Sequence, residues 1–239
     1  MPTLPELVLL FFVLAAGSAI QGSLGFGLNL IAAPVMALVD HRLVPGPALA
    51  AALLLTMLIA RRERASIDLG GIGWALVGRV PGTVAGALAV AAFQPRQLAI
   101  ALAAAVVVGV VTSVGGWHVR PTAPVLVGAG ALSGLMGTAS SIGGPPMAMV
   151  YQREPGATMR GTLSGFFVIG AAMSIALLAA VGKFGLQELR LSGVLLPGIL
   201  AGFAVSSRTS KLLDKGLTRP AVLVLSLLSA VALVIRELW

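Results

Sequence analysis

Two stretches of this chain place small and polar residues where everything around them is apolar. The first reads Gln21-Gly22-Ser23-Leu24-Gly25-Phe26-Gly27-Leu28-Asn29; the second carries Ser133-Gly134, Gly137-Thr138, Ser140-Ser141 and Gly143-Gly144-Pro145-Pro146. Glycine and proline release the backbone from helical pairing, and lipid cannot satisfy the groups so freed. Such breaks survive in a bilayer only where they are buried in protein or line a cavity. A helix restarting after a break offers unpaired N–H groups and a positive dipole end. Gly144 followed by Pro145 has the form of a helix start, because proline is accepted in the first turn.

Two such starts facing each other would make an anion site. Its donors would be backbone N–H groups, the hydroxyls of Ser23, Thr138, Ser140 and Ser141, and the amides of Gln21 and Asn29. Gly25, Gly27, Gly143 and Gly144 would let the backbone approach a ligand, with Phe26 between the first pair. The competing reading is that these small residues only pack helices closely, as small-xxx-small patterns do. A pair of breaks is harder to explain by packing than scattered glycines are.

Arg79 is the one charge well inside an apolar run. Inserting it costs ~3 kcal/mol, so it should face protein or water and have a partner. A guanidinium there could hold an anion bidentately. It could equally snorkel, since only ~10 Å of helix rise separates it from the run's start. Other chemistries lack their parts. Asp40, Asp68, Glu188 and Asp214 are all peripheral to the runs, so the buried carboxylate of a proton relay is not visible. With no Cys and two distant histidines, His41 and His118, there is no metal-ligand cluster. No paired carboxylates and no His beside a candidate Ser nucleophile argue against an enzyme. We expect no catalytic residue, metal or cofactor.

These residues must be positioned by membrane helices. Of 239 residues, 58% are apolar and 10% charged, with a mean hydropathy of +1.02; a soluble chain carries about 25% charged residues. The net charge of +8 would suit nucleic acid, but the basic residues sit in short gaps between apolar runs, where membrane loops carry them. The runs are Leu4–Val39, Val44–Ala60, Ile72–Phe93, Leu98–Trp117, Pro124–Val150, Gly161–Val181, Leu189–Val205 and Leu217–Ile235. Trp74, Trp117, Tyr151 and Trp239 fall at run ends, at the headgroup level. The N-terminus lacks the basic region of a cleaved signal and is expected to be retained.

Leu4–Val39 would measure about 54 Å as one helix, against a hydrocarbon core of roughly 30 Å. Both long runs, this one and Pro124–Val150, contain the breaks. The second half also echoes the first at an offset of 116: Pro81-Gly82…Gly86 lies over Pro197-Gly198…Gly202, and Gly25-Phe26-Gly27 over Ser141-Ile142-Gly143. Secondary transporters are often built from such repeats, with the site between them.

Charge counting tests whether each broken run crosses once or folds back. Fifteen Lys and Arg remain when Arg79 is set aside from the 16. Eight single crossings divide them seven against eight, with no preferred orientation. If each broken run contributes two segments, one side gathers Arg61, Arg62, Arg64, Arg120, Arg153, Arg160, Arg208, Lys211, Lys215 and Arg219, and the other keeps Arg42, Arg96, Lys183, Arg190 and Arg236. The positive-inside rule favours this arrangement, with both termini outside. We therefore expect an all-α polytopic membrane protein of two inverted repeats, residues 1–117 and 118–239. Each repeat opens with a broken or hairpin helix, giving eight hydrophobic runs and about ten membrane segments.

The first break with Pro34 downstream, then Ser133-Gly134-Leu135-Met136-Gly137 leading to Ile142-Gly143-Gly144-Pro145-Pro146 and Arg160, resembles the TauE/SafE family over nearly the whole chain. These are sulfite and organosulfonate exporters, also called the toluene-sulfonate uptake permease family. Gly25, Phe26 and Gly27 match the first family motif, and Gly143, Gly144 and Pro145 the second. Ser140 and Ser141 stand where many relatives are more Gly-rich. The resemblance implies transport of a small sulfur-containing anion across a prokaryotic inner membrane; the sulfur comes from the resemblance alone. The expected function is a secondary transporter working by alternating access, with an anion channel or a non-transporting membrane scaffold as alternatives. Expected partners are the anionic substrate and the lipid bilayer, without nucleic acid. Gly-rich helix faces permit a homodimer.

Overall fold

The computed structural model describes residues 2–94 and 120–213, together with positions 96, 97, 100, 101, 103, 104, 107 and 111. Most of the run Leu98–Trp117, all of Leu217–Ile235, the repeat boundary at 117/118, His118 and Trp239 lie outside these residues. The described residues form helices and turns: α1 (Leu4–Leu24), α2 (Leu28–Val39), α3 (Gly46–Arg62), α4 (Leu69–Ala92), α5 (Ala123–Ser140), α6 (Gly144–Tyr151), α7 (Gly156–Ala180) and α8 (Leu186–Leu213). Five of them, α1, α4, α5, α7 and α8, are long and apolar enough to cross a bilayer.

Local chemistry sets the ends. Pro5, Pro47, Pro124 and Pro145 open α1, α3, α5 and α6 from the first turn, where a missing N–H costs nothing. The Glu6 carboxylate accepts from the Thr3 N–H at 2.6 Å, and that of Asp68 accepts from Gly71 N at 2.9 Å to cap α4. Each expected break occurs. α1 ends on Gly25 at φ 89°, whose N–H reaches Gln21 O, and Gly27 follows at φ 126°. α5 ends on Ser141 at φ 60°, a left-handed conformation unusual for a residue with a Cβ.

At both breaks the chain doubles back. Leu28, the first residue of α2, lies against Gly17, and Gly143 packs beside Ser133 and Gly137. Seven residues separate Ser133 from the end of α5, about 10 Å of helix retraced. Contacts between helices then fix their directions. Gly198 and Gly202 of α8 meet Phe11 and Ala15 of α1, so these two run the same way. The start of α3 at Gly46 touches Phe184 and Glu188 at the start of α8, while Arg62 at its end reaches Ser206 and Gly22. α3 therefore also runs with α1, and α2 against it. Gly78, Gly82 and Gly86 of α4 meet Val127, Ala131 and Leu135 of α5, and Gly165 and Gly170 of α7 meet Ile72 and Arg79 of α4. These three helices share the opposite direction, and α6 returns against them to bring Tyr151 to Asp68. Arg61, Arg62, Arg64, Arg153 and Arg160 consequently gather at one face, and Arg42 and Lys183 at the other.

Packing inverts the usual soluble pattern. In the middle of α4 the buried residues are Gly78, Arg79, Gly82, Thr83 and Gly86, with Ile72 and Val90 buried nearer its ends, while Val77, Val80, Val84 and Leu88 point outwards. In lipid an outward valine loses nothing, and small residues inside let backbones touch. A Cβ on Gly82 would stand 2.1 Å from Ala131 O, and one on Gly202 2.2 Å from Ala15 O. Trp74 is exposed at a helix start as expected. Tyr151, by contrast, is buried, donating to Asp68 Oδ2 at 2.8 Å. The last part of Leu189–Val205 also continues as helix to Leu213.

Candidate functional site

The two doubled-back segments meet. Asn29 Nδ2, in the first turn of α2, donates to Ser141 O in the second break at 2.9 Å, and Phe26 packs against Gly144. Around this junction lies a cavity of about 60 Å³, room for roughly four to six water-sized groups at ~10–15 Å³ each. Gln21, Phe26, Gly27, Asn29 and Leu30 line it from the first break, and Gly137, Ser141, Ile142, Gly143 and Gly144 from the second. Leu49, Ala52 and Thr56 of α3, Arg79 of α4, and Phe167 and Ala171 of α7 complete the wall.

Arg79 is the cavity's charge. It is 2% exposed, so it does not snorkel. Its Nη1 donates to Ser133 Oγ at 3.0 Å, and Ser133 Oγ donates to Gly143 O at 2.6 Å, tying the cation to the second break. The guanidinium carbon stands 4.7 Å from the centre of the Phe166 ring, a cation–π distance. Nε has no hydrogen-bond partner, and no carboxylate lies within ion-pair distance of Arg79 among the described residues. Space for the group depends on Gly170, where a Cβ would lie 2.0 Å from Nε. A buried guanidinium without a carboxylate is costly, and an arriving anion would supply the missing countercharge.

Sequence-predicted site residues divide into two sets. Gln21, Phe26, Gly27, Asn29, Arg79, Ser141, Gly143 and Gly144 line the cavity; Ser23, Gly25, Thr138, Ser140 and Pro145 do not. Most of the hydroxyls are turned to local carbonyls: Ser23 to Ala19 O at 2.8 Å, Ser140 to Met136 O at 2.7 Å and Ser141 to Ser140 O at 2.6 Å. Thr138 Oγ1 and Ser174 Oγ share a hydrogen bond at 2.8 Å. The first N–H of α2 is also occupied, since Leu28 N donates to Gln21 Oε1 at 3.1 Å. Gly25 instead makes the turn, lying against the Arg160 backbone.

Several contributors escaped sequence reasoning. Leu49, Ala52, Phe167 and Ala171 look like any lipid-facing residue in the sequence. Ser133 and Gly170 act on Arg79 from 54 and 91 positions away. No metal-binding cluster of His, Cys, Asp or Glu occurs among the described residues.

Above the cavity, towards the arginine-rich face, the end of α1 is held by charge. Arg62 Nη2 donates to Gly22 O, and Arg160 Nη1 to Ser23 O at 3.2 Å. Cations suit these terminal carbonyls at a negative dipole end. Glu63 lies between the two arginines, 3.0 Å from Arg62 Nε and 3.3 Å from Arg160 Nε.

A family model described as "Sulfite exporter TauE/SafE" matches residues 9–233. No curated protein and no solved structure matches the chain. On the family match, covering nearly the whole length, this chain belongs to the TauE/SafE family.

Proposed function

We propose that this TauE/SafE member is a secondary transporter that carries a small sulfur-containing anion, sulfite or an organosulfonate, by alternating access. The anion would bind in the cavity where the two helix breaks meet. One observation carries the reading: Arg79 is buried against that cavity, with its Nε unpaired and with no carboxylate partner among the described residues. The remaining lining suits an oxyanion at close quarters. Gly27, Gly143 and Gly144 bring backbone to the cavity, and Gln21 and Asn29 add amides.

The helix directions are those that two inverted repeats would have, and such repeats favour an alternating mechanism. α1 runs opposite to α5, and each doubles back at its break. α1 packs along α8 and α5 along α4, so each half's first helix lies on the other half's fourth. A rocking motion that separates these pairs would open the cavity to either face in turn, as in other transporters built from inverted repeats. On this reading the molecule has about ten membrane segments, and the arginine-rich face is cytoplasmic under the positive-inside rule. Ser23, Gly25, Thr138, Ser140 and Pro145 shape the two hairpins, while cavity-lining residues contact the anion.

The test is flux in liposomes. Purified protein should give saturable sulfite or sulfonate uptake that is accelerated by unlabelled anion on the opposite side. It should also be thermally stabilised in detergent by those anions over small carboxylates. Unsaturable flux without counterflow would replace the carrier by a channel. No flux and no stabilisation by any candidate anion would remove the transport reading.

A further inference from the structure

A second basic site lies apart from the cavity. At the arginine-rich face, a groove of about 570 Å³ is lined by Leu58, Arg61, Arg62, Arg64 and Phe203. Leu58, Phe203 and Arg62 are half-buried in it, and Arg61 and Arg64 are its exposed members. Arg62 is committed: it holds Glu63, Ser206 and Gly22 O, and its guanidinium carbon stands 5.5 Å from the Phe203 ring centre. Arg61 and Arg64 are exposed and enter no ion pair among the described residues. Glu63, the acid beside them in sequence, is engaged by Arg62 and Arg160. One turn before Arg61, the apolar Met57 is 51% exposed on α3. Charge at a helix end explains one or two basic residues there; it does not explain a groove that sets Leu58 and Phe203 beside two guanidinium groups without ion pairs among the described residues.

We propose that this groove binds the headgroup of an anionic phospholipid. Arg61 and Arg64 would grip the phosphate, since guanidinium groups bind phosphate oxygens in paired hydrogen bonds. Leu58, Phe203 and Met57 receive the glycerol and the first part of the acyl chains. A lipid is favoured over a soluble phosphate because the cations sit beside apolar side chains, Leu58, Phe203 and Met57. The site is independent of the transport reading, and its test uses no transport measurement.

The full-length protein in neutral detergent is titrated with phosphatidylglycerol, phosphatidylcholine or inorganic phosphate, and the thermal unfolding midpoint is followed. Phosphatidylglycerol should raise it saturably, with half-saturation at least about tenfold below that of phosphatidylcholine. Inorganic phosphate should leave it unmoved. The double variant Arg61→Gln/Arg64→Gln, altered only at exposed side chains, should lose the phosphatidylglycerol effect. Arg120→Gln/Arg153→Gln, which removes the same charge from the same face outside the groove, should keep it. Equal effects of both lipids, an equal effect of phosphate alone, or persistence in the first double variant would each overturn the assignment. So would loss of the effect in the second, because general attraction to the face would then suffice.

Discussion

Removing the charge of Arg79 separates binding from folding. An anion held about 4 Å from the guanidinium gains about 4 kcal/mol at an effective dielectric constant of 20, close to a thousandfold in affinity. Part of this is offset by stripping water from the anion, so Arg79→Gln should weaken sulfite or sulfonate binding by about 100- to 1,000-fold. Stability should respond in the opposite sense. Among the described residues Arg79 is buried without a carboxylate, and replacing an uncompensated buried charge by a neutral group relieves a desolvation cost. The variant should therefore unfold within about 1 kcal/mol of the parent, or later. Arg79→Lys keeps the charge but cannot both hold Ser133 and fork onto an anion, so an intermediate loss of about tenfold is expected. Isothermal titration in detergent gives the affinities, and thermal unfolding without ligand gives the stability. The binding loss should change little with salt, because a buried pair is weakly screened. If Arg79→Gln bound the anion within about threefold of the parent, the cavity's cation would have no part in recognition and the site would lie elsewhere.

Other substitutions probe the geometry. Gly170→Ala pushes a Cβ to 2.0 Å from Arg79 Nε; displacing the guanidinium should cost at least about tenfold in affinity, read by the same titration, while far-ultraviolet dichroism stays helical. Gly82→Ala meets Ala131 O at 2.1 Å, whereas Gly73→Ala and Gly128→Ala meet nothing within 4 Å. The first should therefore destabilise by about 1–3 kcal/mol and the others stabilise by up to ~1 kcal/mol, measured by denaturation in mixed micelles. At the opposite face, the Arg42 side chain donates to Asp40 and holds its carboxyl below the usual 3.8. A lowered folded-state value means that the contribution is complete above 3.8 and lost as pH falls towards the folded value. Unfolding midpoints should therefore drop more steeply below pH 3.8 in the parent than in Asp40→Asn.

The glycine echo shows how far sequence reaches. Aligning the halves at 116 superposes Gly27 on Gly143, and both do sit in the breaks. Contacts in the fourth helices follow another register. Gly78 meets Val127 and Gly198 meets Phe11; the partners differ by 116, but the glycines differ by 120, one helical turn more. Sequence similarity follows the Pro-Gly pair, whereas packing follows whichever small residue lies opposite the neighbouring carbonyl. The serines near the breaks tell a similar story. They looked like ligands because a hydroxyl in lipid needs a partner, and most found one in the carbonyl four residues back or in the adjacent turn.

The sequence alone determined that this chain lives in a membrane, that two of its helices are interrupted, and that a third carries a cation which must either face protein or snorkel. Each follows from local chemistry: apolar length, the backbone freedom of glycine and proline, and the cost of charge in lipid. Only the tertiary structure decided that the interrupted segments turn back to meet each other. It also decided that Ser133 and Gly170 hold Arg79 at their junction, and that half of the expected donors face away. Those outcomes depend on which helix lies beside which, a matter of close backbone contact between residues far apart in the chain, and no local pattern encodes it.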